Sequence, residues 1–353
     1  MTPTRIALLG VGTIGRELVR RVLDNPRMQI VALADRSGVV AQAEAFSLEE
    51  LLQILMLKEA GGRLRDYEGG HDSYREMLGA IRGVQADALV DVTDAQTYGL
   101  LYEALGHAHV VTSNKAPIAD VPSSDYRRLV SRAEDEGRVL DIGTTAGAGL
   151  RVPDLVERLG CEGMERVTGC LSGTMNYVSQ RLNEGAPLSE ALREAMSPPR
   201  NYAEPDPRVD LEGVDFARKL VILGRMCGSD IERDWVIVED LIPDEFKDAS
   251  VEGFLGGLLD LDGALCERVE SARKDGKTSW YLGTADLDRE VYTVGFESIP
   301  SDDPVARSRE SDNVLKLYPR GWRRPVTVIG PGAGPPETVT GLMFGLQSIP
   351  DTR

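Results

Sequence analysis

The chain has 353 residues, enough for two domains or for one large domain with an insertion, and its 42% hydrophobic content is enough for real cores. A formal charge of −17 argues against nucleic acid or anionic membrane surfaces as partners. Four cysteines without metal-knuckle spacing and three histidines argue against a disulfide scaffold or a zinc site. No stretch is long and apolar enough to span a bilayer, and no signal-peptide pattern precedes the first strand, so a cytoplasmic location is expected.

Residues 4–10 read as a buried parallel strand. The turn Gly10-Val11-Gly12-Thr13-Ile14-Gly15 follows, then a helix through Asn25 and a strand over 29–35 that ends at Asp35. Strand, glycine turn, helix and strand, with an acid twenty residues after Gly15, make a dinucleotide-binding pattern. Gly10 permits the tight turn, Gly12 lets backbone approach a pyrophosphate, and Gly15 lets the helix pack close to the strand. The N–H groups at the helix start, around Thr13 and Ile14, are free for phosphates. Asp35 suits ribose hydroxyls and favours NAD, whereas the adjacent Arg36 can take a 2′-phosphate, so NAD and NADP both stay open.

Residues 47–60 read as an amphipathic helix with a serine cap, 61–73 as a loop and 74–86 as a helix. The strand over 87–93 ends at Thr93, and the strand over 109–115 ends in Ser113-Asn114-Lys115. Open α/β sheets bind ligands at such carboxyl ends, which makes Thr93, Ser113 and Lys115 candidates; a solvated loop lysine is the plain alternative. Helices over 97–107 and 121–137 and a strand over 138–145 follow. Gly147-Ala148-Gly149 suggests a hinge into a second domain.

That domain begins with a helix over 150–159 and a strand that turns at Ser172-Gly173-Thr174 into a helix ending near 182. The turn can direct N–H groups at a carboxylate ligand, or simply cap the helix. A helix over 188–196 precedes the segment with the densest chemistry, 200–226. Pro205 and Pro207 keep its first half in a loop. Glu204, Asp206, Asp210, Glu212 and Asp215 crowd into it, and Tyr202 stands at its start. The second half is helical and puts Asp215 and Lys219 on one face, with apolar residues around the lysine. Taken alone, this is either an ammonium facing acids at a core edge or an ordinary surface ion pair. Only seven of the 40 basic residues are lysines, and Lys115 and Lys219 are two of them. Low lysine with excess acid fits a salt-rich cytosol and a GC-rich genome equally.

A strand-like pattern from 233, helices over 249–259 and 260–272, a hairpin over 278–300 and strands at 313–319 and 325–331 complete the second domain. The alternating apolar strands at 278–296 and 323–329 need a covering partner, so a homodimer is expected. Gly330 to Gly334 precede a last helix.

Over nearly its whole length the chain resembles the homoserine dehydrogenase family. The resemblance rests on GVGTIG, TSNK at 112–115, GAGL at 147–150, LSGTMNY at 171–177, YAEPDPRVDLEGVDFARKLVIL at 202–223, SDNV at 311–314 and GPGAG at 330–334. It implies an α/β fold: a Rossmann-type doubly wound parallel sheet, with an α+β catalytic and dimerisation domain inserted. The dinucleotide-binding domain would be 1–146 plus 330–353, and the catalytic domain 147–329. The implied activity is NAD- or NADP-dependent reversible reduction of L-aspartate 4-semialdehyde to L-homoserine. By position Lys219 and Lys115 match the family's active-site lysines, and Glu204 and Asp215 its substrate-binding acids; Thr174, Tyr202 and Asp210 are further candidates for binding the substrate. Thr93, Lys115 and Gly334 match cofactor contacts. A structural sodium ion would fall on the backbone carbonyls of Ala146, Ala148 and Leu150. Three positions depart from the pattern: Gly143 replaces an acid ligand of that ion, Asn201 a glycine, and Arg151 a proline. The chain ends soon after its last helix, so threonine feedback through a C-terminal regulatory domain is not expected. Other readings are a different Rossmann amino-acid oxidoreductase, such as an aspartate dehydrogenase, and a non-catalytic NAD(P)-sensing protein.

Overall fold

The structure is a computed structural model that describes residues 2–71 and 77–350. The chain divides into two compact units, Met1–Val152 with Gly334–Arg353 and Pro153–Ala333.

In the first unit, apolar runs buried on both sides form a six-stranded sheet. Its strands are β1 (Thr4–Leu9), β2 (Met28–Asp35), β3 (Gly38–Ala41), β4 (Ala88–Asp91), β5 (His109–Thr112) and β6 (Leu140–Asp141). Their order is β3-β2-β1-β4-β5-β6, the doubly wound order with its crevice between β1 and β4. All neighbours are parallel except β3, which turns straight back from β2 with Asp35 opposite Gly38. This hairpin is not expected from the sequence, where Asp35-Arg36-Ser37 reads as a ligand-facing strand end. Helices α1 (Thr13–Leu23), α2 (Leu48–Glu59), α3 (Met77–Gly83), α4 (Tyr98–Ala104), α5 (Ala116–Ala119) and α6 (Ser123–Asp135) connect the strands. The helix expected over 74–86 is described from Met77; residues 74–76 lie outside the described residues. Ser47 caps α2 through a capping box with Glu50. The strand expected over 138–145 is only two residues long, because Gly143–Thr145 tighten into a 3₁₀ turn.

The second unit opens with α7 (Val152–Leu159), whose first residue still belongs to the first unit. A mixed sheet follows, built from β7 (Met164–Cys170), β8 (Ile237–Val238), β9 (Lys277–Asp286), β10 (Val291–Pro300), β11 (Asp312–Pro319) and β12 (Val326–Pro331) in the order β12-β11-β7-β9-β10-β8. Helices α8 (Gly173–Glu184), α9 (Leu188–Met196), α10 (Arg208–Leu211), α11 (Val214–Met226), α12 (Val251–Gly256) and α13 (Leu259–Lys274) complete it. Phe216 of α11 lies where Gly283 of β9 lacks a side chain: a Cβ there would stand 2.6 Å from the ring. α11 therefore packs directly on the sheet. The expected strand from 233 shrinks to β8, and the loop before α11 contains the turn α10.

The chain then returns to the first unit with α14 (Pro335–Gln347). Val339, Leu342 and Leu346 of this helix are buried in one cluster with Ile6, Leu8 and Leu18.

Candidate active site

In the first unit the three glycines of the turn have different physical reasons. Gly10 is left-handed at φ +102°, where a side chain would be strained. A Cβ on Gly15 would stand well inside van der Waals distance of the Gly10 carbonyl oxygen. A Cβ on Gly12 meets nothing within 4 Å. Gly12 has ordinary φ and open space, so the fold itself does not need glycine there, and its backbone is open to a ligand. α1 begins at this point with no side-chain cap and no acid in its first turn, leaving the helix end to an anion. These residues fit a dinucleotide.

Asp35 ends β2 with both oxygens engaged. Ser37 donates to Oδ1 from N (2.7 Å) and Oγ (2.5 Å), and the Lys58 ammonium pairs with Oδ2 at 2.7 Å. Lys58, from the last turn of α2, escaped the sequence reading, because helical spacing does not say which strand end a helix terminus faces. Arg36 is exposed in the turn.

Asp91, at the carboxyl end of β4, is fully buried and accepts from four neutral donors. These are Thr93 N (3.0 Å), Thr93 Oγ1 (2.7 Å), Thr97 Oγ1 (2.6 Å) and Asn114 Nδ2 (3.0 Å). Asn114 Oδ1 in turn accepts from Ala116 N at 3.1 Å. The knot fixes Thr93 and the backbone on either side of Lys115, which is the N-cap of α5 with Pro117 in its first turn. It also ends β5 at Thr112, earlier than the strand expected through 115. Ser113 donates its N–H to the Asp91 carbonyl at 3.1 Å. An acid inside an apolar strand was the available signal for Asp91. Gly334 is left-handed at φ +117° and is the N-cap of α14.

In the second unit β7 runs into Leu171, and Ser172 caps α8 by accepting from Met175 N (3.2 Å). Thr174 donates its hydroxyl to the Tyr202 carbonyl at 2.8 Å, tying the start of α8 to the acidic loop. Asn201 is left-handed at φ +47°, which explains why this position suits glycine and tolerates asparagine. Tyr202 donates to Glu310 Oε2 (2.9 Å) and meets the Tyr177 ring edge-on at 5.6 Å. Glu204 is exposed; its N–H donates to Asp210 Oδ2 at 3.0 Å. Burial pushes the Asp210 carboxyl up from the ordinary 3.8, against the pull of the Glu204 N–H and the Thr174 hydroxyl.

Lys219 is 8% exposed on α11. Its ammonium pairs with Asp215 Oδ2 at 2.9 Å and donates to the Leu171 carbonyl at 2.7 Å. The Leu171 bond is the directed hydrogen bond of this ammonium and Asp215 balances its charge, which leaves donor capacity for an oxygen of a bound molecule. The Leu171 carbonyl was not legible in the sequence, since it depends on where β7 stops. Beside it, the buried Cys170 thiol is pushed up to about 12 by burial and stays protonated. The second unit thus brings Thr174, Tyr202, Glu204 and Asp210 into one bonded cluster, with Lys219 and Asp215 fastened to the end of β7.

Family models for the homoserine dehydrogenase NAD-binding domain and for homoserine dehydrogenase match residues 10–141 and 154–345, the latter more than half of the chain. A homoserine dehydrogenase of Emericella nidulans is 32% identical over 98% of this chain and 98% of its own. That of Schizosaccharomyces pombe is 28% identical over 99% and 96%. In fold, the chain is similar to a hyperthermophilic archaeal homoserine dehydrogenase solved with NADPH, at a TM-score of 0.73 and 20% identity, with all of both chains covered. Matches of this extent, on a fold that opens with a dinucleotide-type glycine turn, lead to one conclusion: the chain belongs to the homoserine dehydrogenase family, the NAD(P)-dependent oxidoreductases that interconvert L-aspartate 4-semialdehyde and L-homoserine.

Proposed function

We propose that Lys219 is the proton donor to the aldehyde oxygen of L-aspartate 4-semialdehyde, and the acceptor when L-homoserine is oxidised. The observation that carries this is the buried ammonium held by the Asp215 carboxylate and the Leu171 carbonyl, with donor capacity to spare. A bound nicotinamide supplies or accepts the hydride. A fixed ammonium then stabilises the negative charge that develops on the substrate oxygen, and can deliver a proton to it. Glu204 and Asp215 take the substrate ammonium. Asp210, with Thr174 and Tyr202, keeps the acidic loop in shape through the Glu204 N–H. Lys115 orients the reacting groups from the nucleotide side, on a backbone anchored by Asp91 and Asn114.

The cofactor lies along Gly10, Gly12, Thr13, Ile14 and Gly15, with Thr93, Ser113 and Gly334 as further contacts. Lys58 compensates the charge of Asp35, so Asp35 does not exclude a 2′-phosphate; with Arg36 beside it, the chain accepts NADP as well as NAD. The NADPH complex of the archaeal neighbour supports this. The proposal includes a homodimer, and a cytoplasmic location in keeping with the free thiols of Cys170, Cys227 and Cys266.

The test is reduction of NAD⁺ and NADP⁺ with L-homoserine, beside L-aspartate and L-malate. Turnover on L-homoserine with both cofactors is expected. Turnover on L-aspartate alone would point to the related dehydrogenase instead.

A further inference from the structure

Between Asp141 and Val152 the nucleotide-binding unit carries its own buried positive charge. Arg151 is 8% exposed. Its guanidinium donates to both oxygens of Asp141, Nη1 to Oδ1 at 3.2 Å and Nη2 to Oδ2 at 2.6 Å. Nη1 also donates to the Gly341 carbonyl on α14 at 2.8 Å, and the group stands over the Phe344 ring at 4.8 Å. α14 makes room for the pair: a Cβ on Gly345 would stand 2.8 Å from the Asp141 carboxyl carbon. The Arg151 backbone is left-handed at φ +47°, a conformation closed to proline, whose ring holds φ near −65°. The turn is therefore built differently from one that carries a proline at this position.

The oxygens expected to hold a sodium ion are poorly suited to it here. The Ala146 carbonyl accepts from Val152 N at 3.3 Å and the Ala148 carbonyl from Arg151 N at 3.2 Å. Position 143 is a glycine and offers no carboxylate, and the carboxylate of the segment, Asp141, is engaged by the guanidinium. What is left is uncharged: the second lone pairs of those two carbonyls, the Leu150 carbonyl, and the Thr144 hydroxyl, which is buried without a partner. They bring no charge to offset the dehydration of an ion.

We propose that the Arg151 guanidinium takes the place of the monovalent cation. It neutralises Asp141 and ties residues 141–152 to α14, so that this chain needs no bound sodium or potassium. A guanidinium is well suited to this role, since it stays protonated and its planar fork meets a carboxylate with two bonds at once. A covalently attached cation also cannot be lost by dilution.

The experiment is thermal unfolding of the full chain in sodium, potassium and choline chloride at equal ionic strength. The same Tm is expected in all three. An ion bound by the native state alone would raise Tm by about 3–6 °C for each tenfold rise in its concentration above Kd. Such a rise with sodium or potassium, and none with choline, overturns the proposal. Arg151→Met should lower Tm by roughly ten degrees, because it leaves Asp141 buried and uncompensated. Adding Asp141→Asn to that variant should restore part of the loss. Arg151→Met protein as stable as the parent also overturns the proposal; should that variant not fold, the three-salt comparison on the parent chain decides.

Discussion

Lys219 owes its place to two neighbours of opposite kind, a carboxylate one turn earlier on its own helix and a backbone carbonyl just past the end of β7. The first contact was legible from i,i+4 spacing; the second was not, because strand ends are set by tertiary packing. The two make different predictions. If Lys219 transfers the proton, Lys219→Met should lower kcat by about 10²–10⁴ while the cofactor Kd stays near the parent value. A plain ion pair with Asp215, whose side chain is 52% exposed, would leave turnover within about threefold. Folded Lys219→Met protein with near-parental kcat therefore removes the assignment. At the other end of the chemistry, Lys58 offsets the charge of Asp35. Lys58→Met should raise the NAD⁺/NADP⁺ ratio of kcat/KM by about tenfold or more, since an uncompensated carboxylate repels a 2′-phosphate and a charged hydrogen bond is worth ~1.5–3 kcal/mol. An unchanged ratio would mean that the adenosine is not read at Asp35.

At the scale of elements, the glycine turn and α1 separate what folding requires from what binding requires. Gly15→Ala sets a methyl group against the Gly10 carbonyl and should unfold the turn, with loss of both stability and cofactor binding. Gly12→Ala should leave Tm near the parent value and still weaken the cofactor, which titration of intrinsic fluorescence would read. Helices α8 and α9 are joined by another device. Arg181 and the Tyr177 hydroxyl hydrogen-bond Glu194 at 2.7 Å each, and they hold its carboxyl below the ordinary 4.5. A depressed folded value means the stabilisation is complete above about pH 4.5 and is lost as pH falls through the lower, folded value. Glu194→Gln should therefore lower the urea midpoint at neutral pH, with a difference that shrinks steadily below pH 4.5. Most elements were legible: alternating and continuous apolar runs marked β1, β2, β4, β9 and β10, and Ser47 marked the start of α2. β3 was not, because Gly38–Ala41 is too short to show a period and its turn residues look like a ribose site. β6 was overestimated, since local bonds turn Gly143–Thr145 out of the sheet: Gly143 N donates to Asp141 Oδ1, and the Thr145 hydroxyl and N–H donate to the Ile142 carbonyl.

For the whole molecule, the expected partner is a second copy. Trp235, Ile237, Val291, Trp322 and Ile329 of the catalytic unit are each about half exposed or more, and Ile237 and Ile329 stand on the two edge strands, β8 and β12. Light scattering should give a dimer across a broad range of concentration and salt; a monomer throughout would count against it. The expected hinge at Gly147-Ala148-Gly149 stands before the crossing at Val152/Pro153, and the return of α14 was implied by resemblance rather than by any pattern in the helix itself. That return has a consequence for how the protein is made. Val339, Leu342 and Leu346, each contributing roughly 1.5–3 kcal/mol on burial, share a core with Ile6, Leu8 and Leu18. Ribosomes deliver the α14 group only after the whole of 153–333 has followed the other. Residues 153–333 are continuous and hold their own sheet, so the catalytic unit is free to fold while the chain is still growing. The nucleotide-binding unit, although its first strand emerges before the second unit, has to wait for α14 beyond that unit before its core can close, and until then its apolar strands are left exposed on the growing chain.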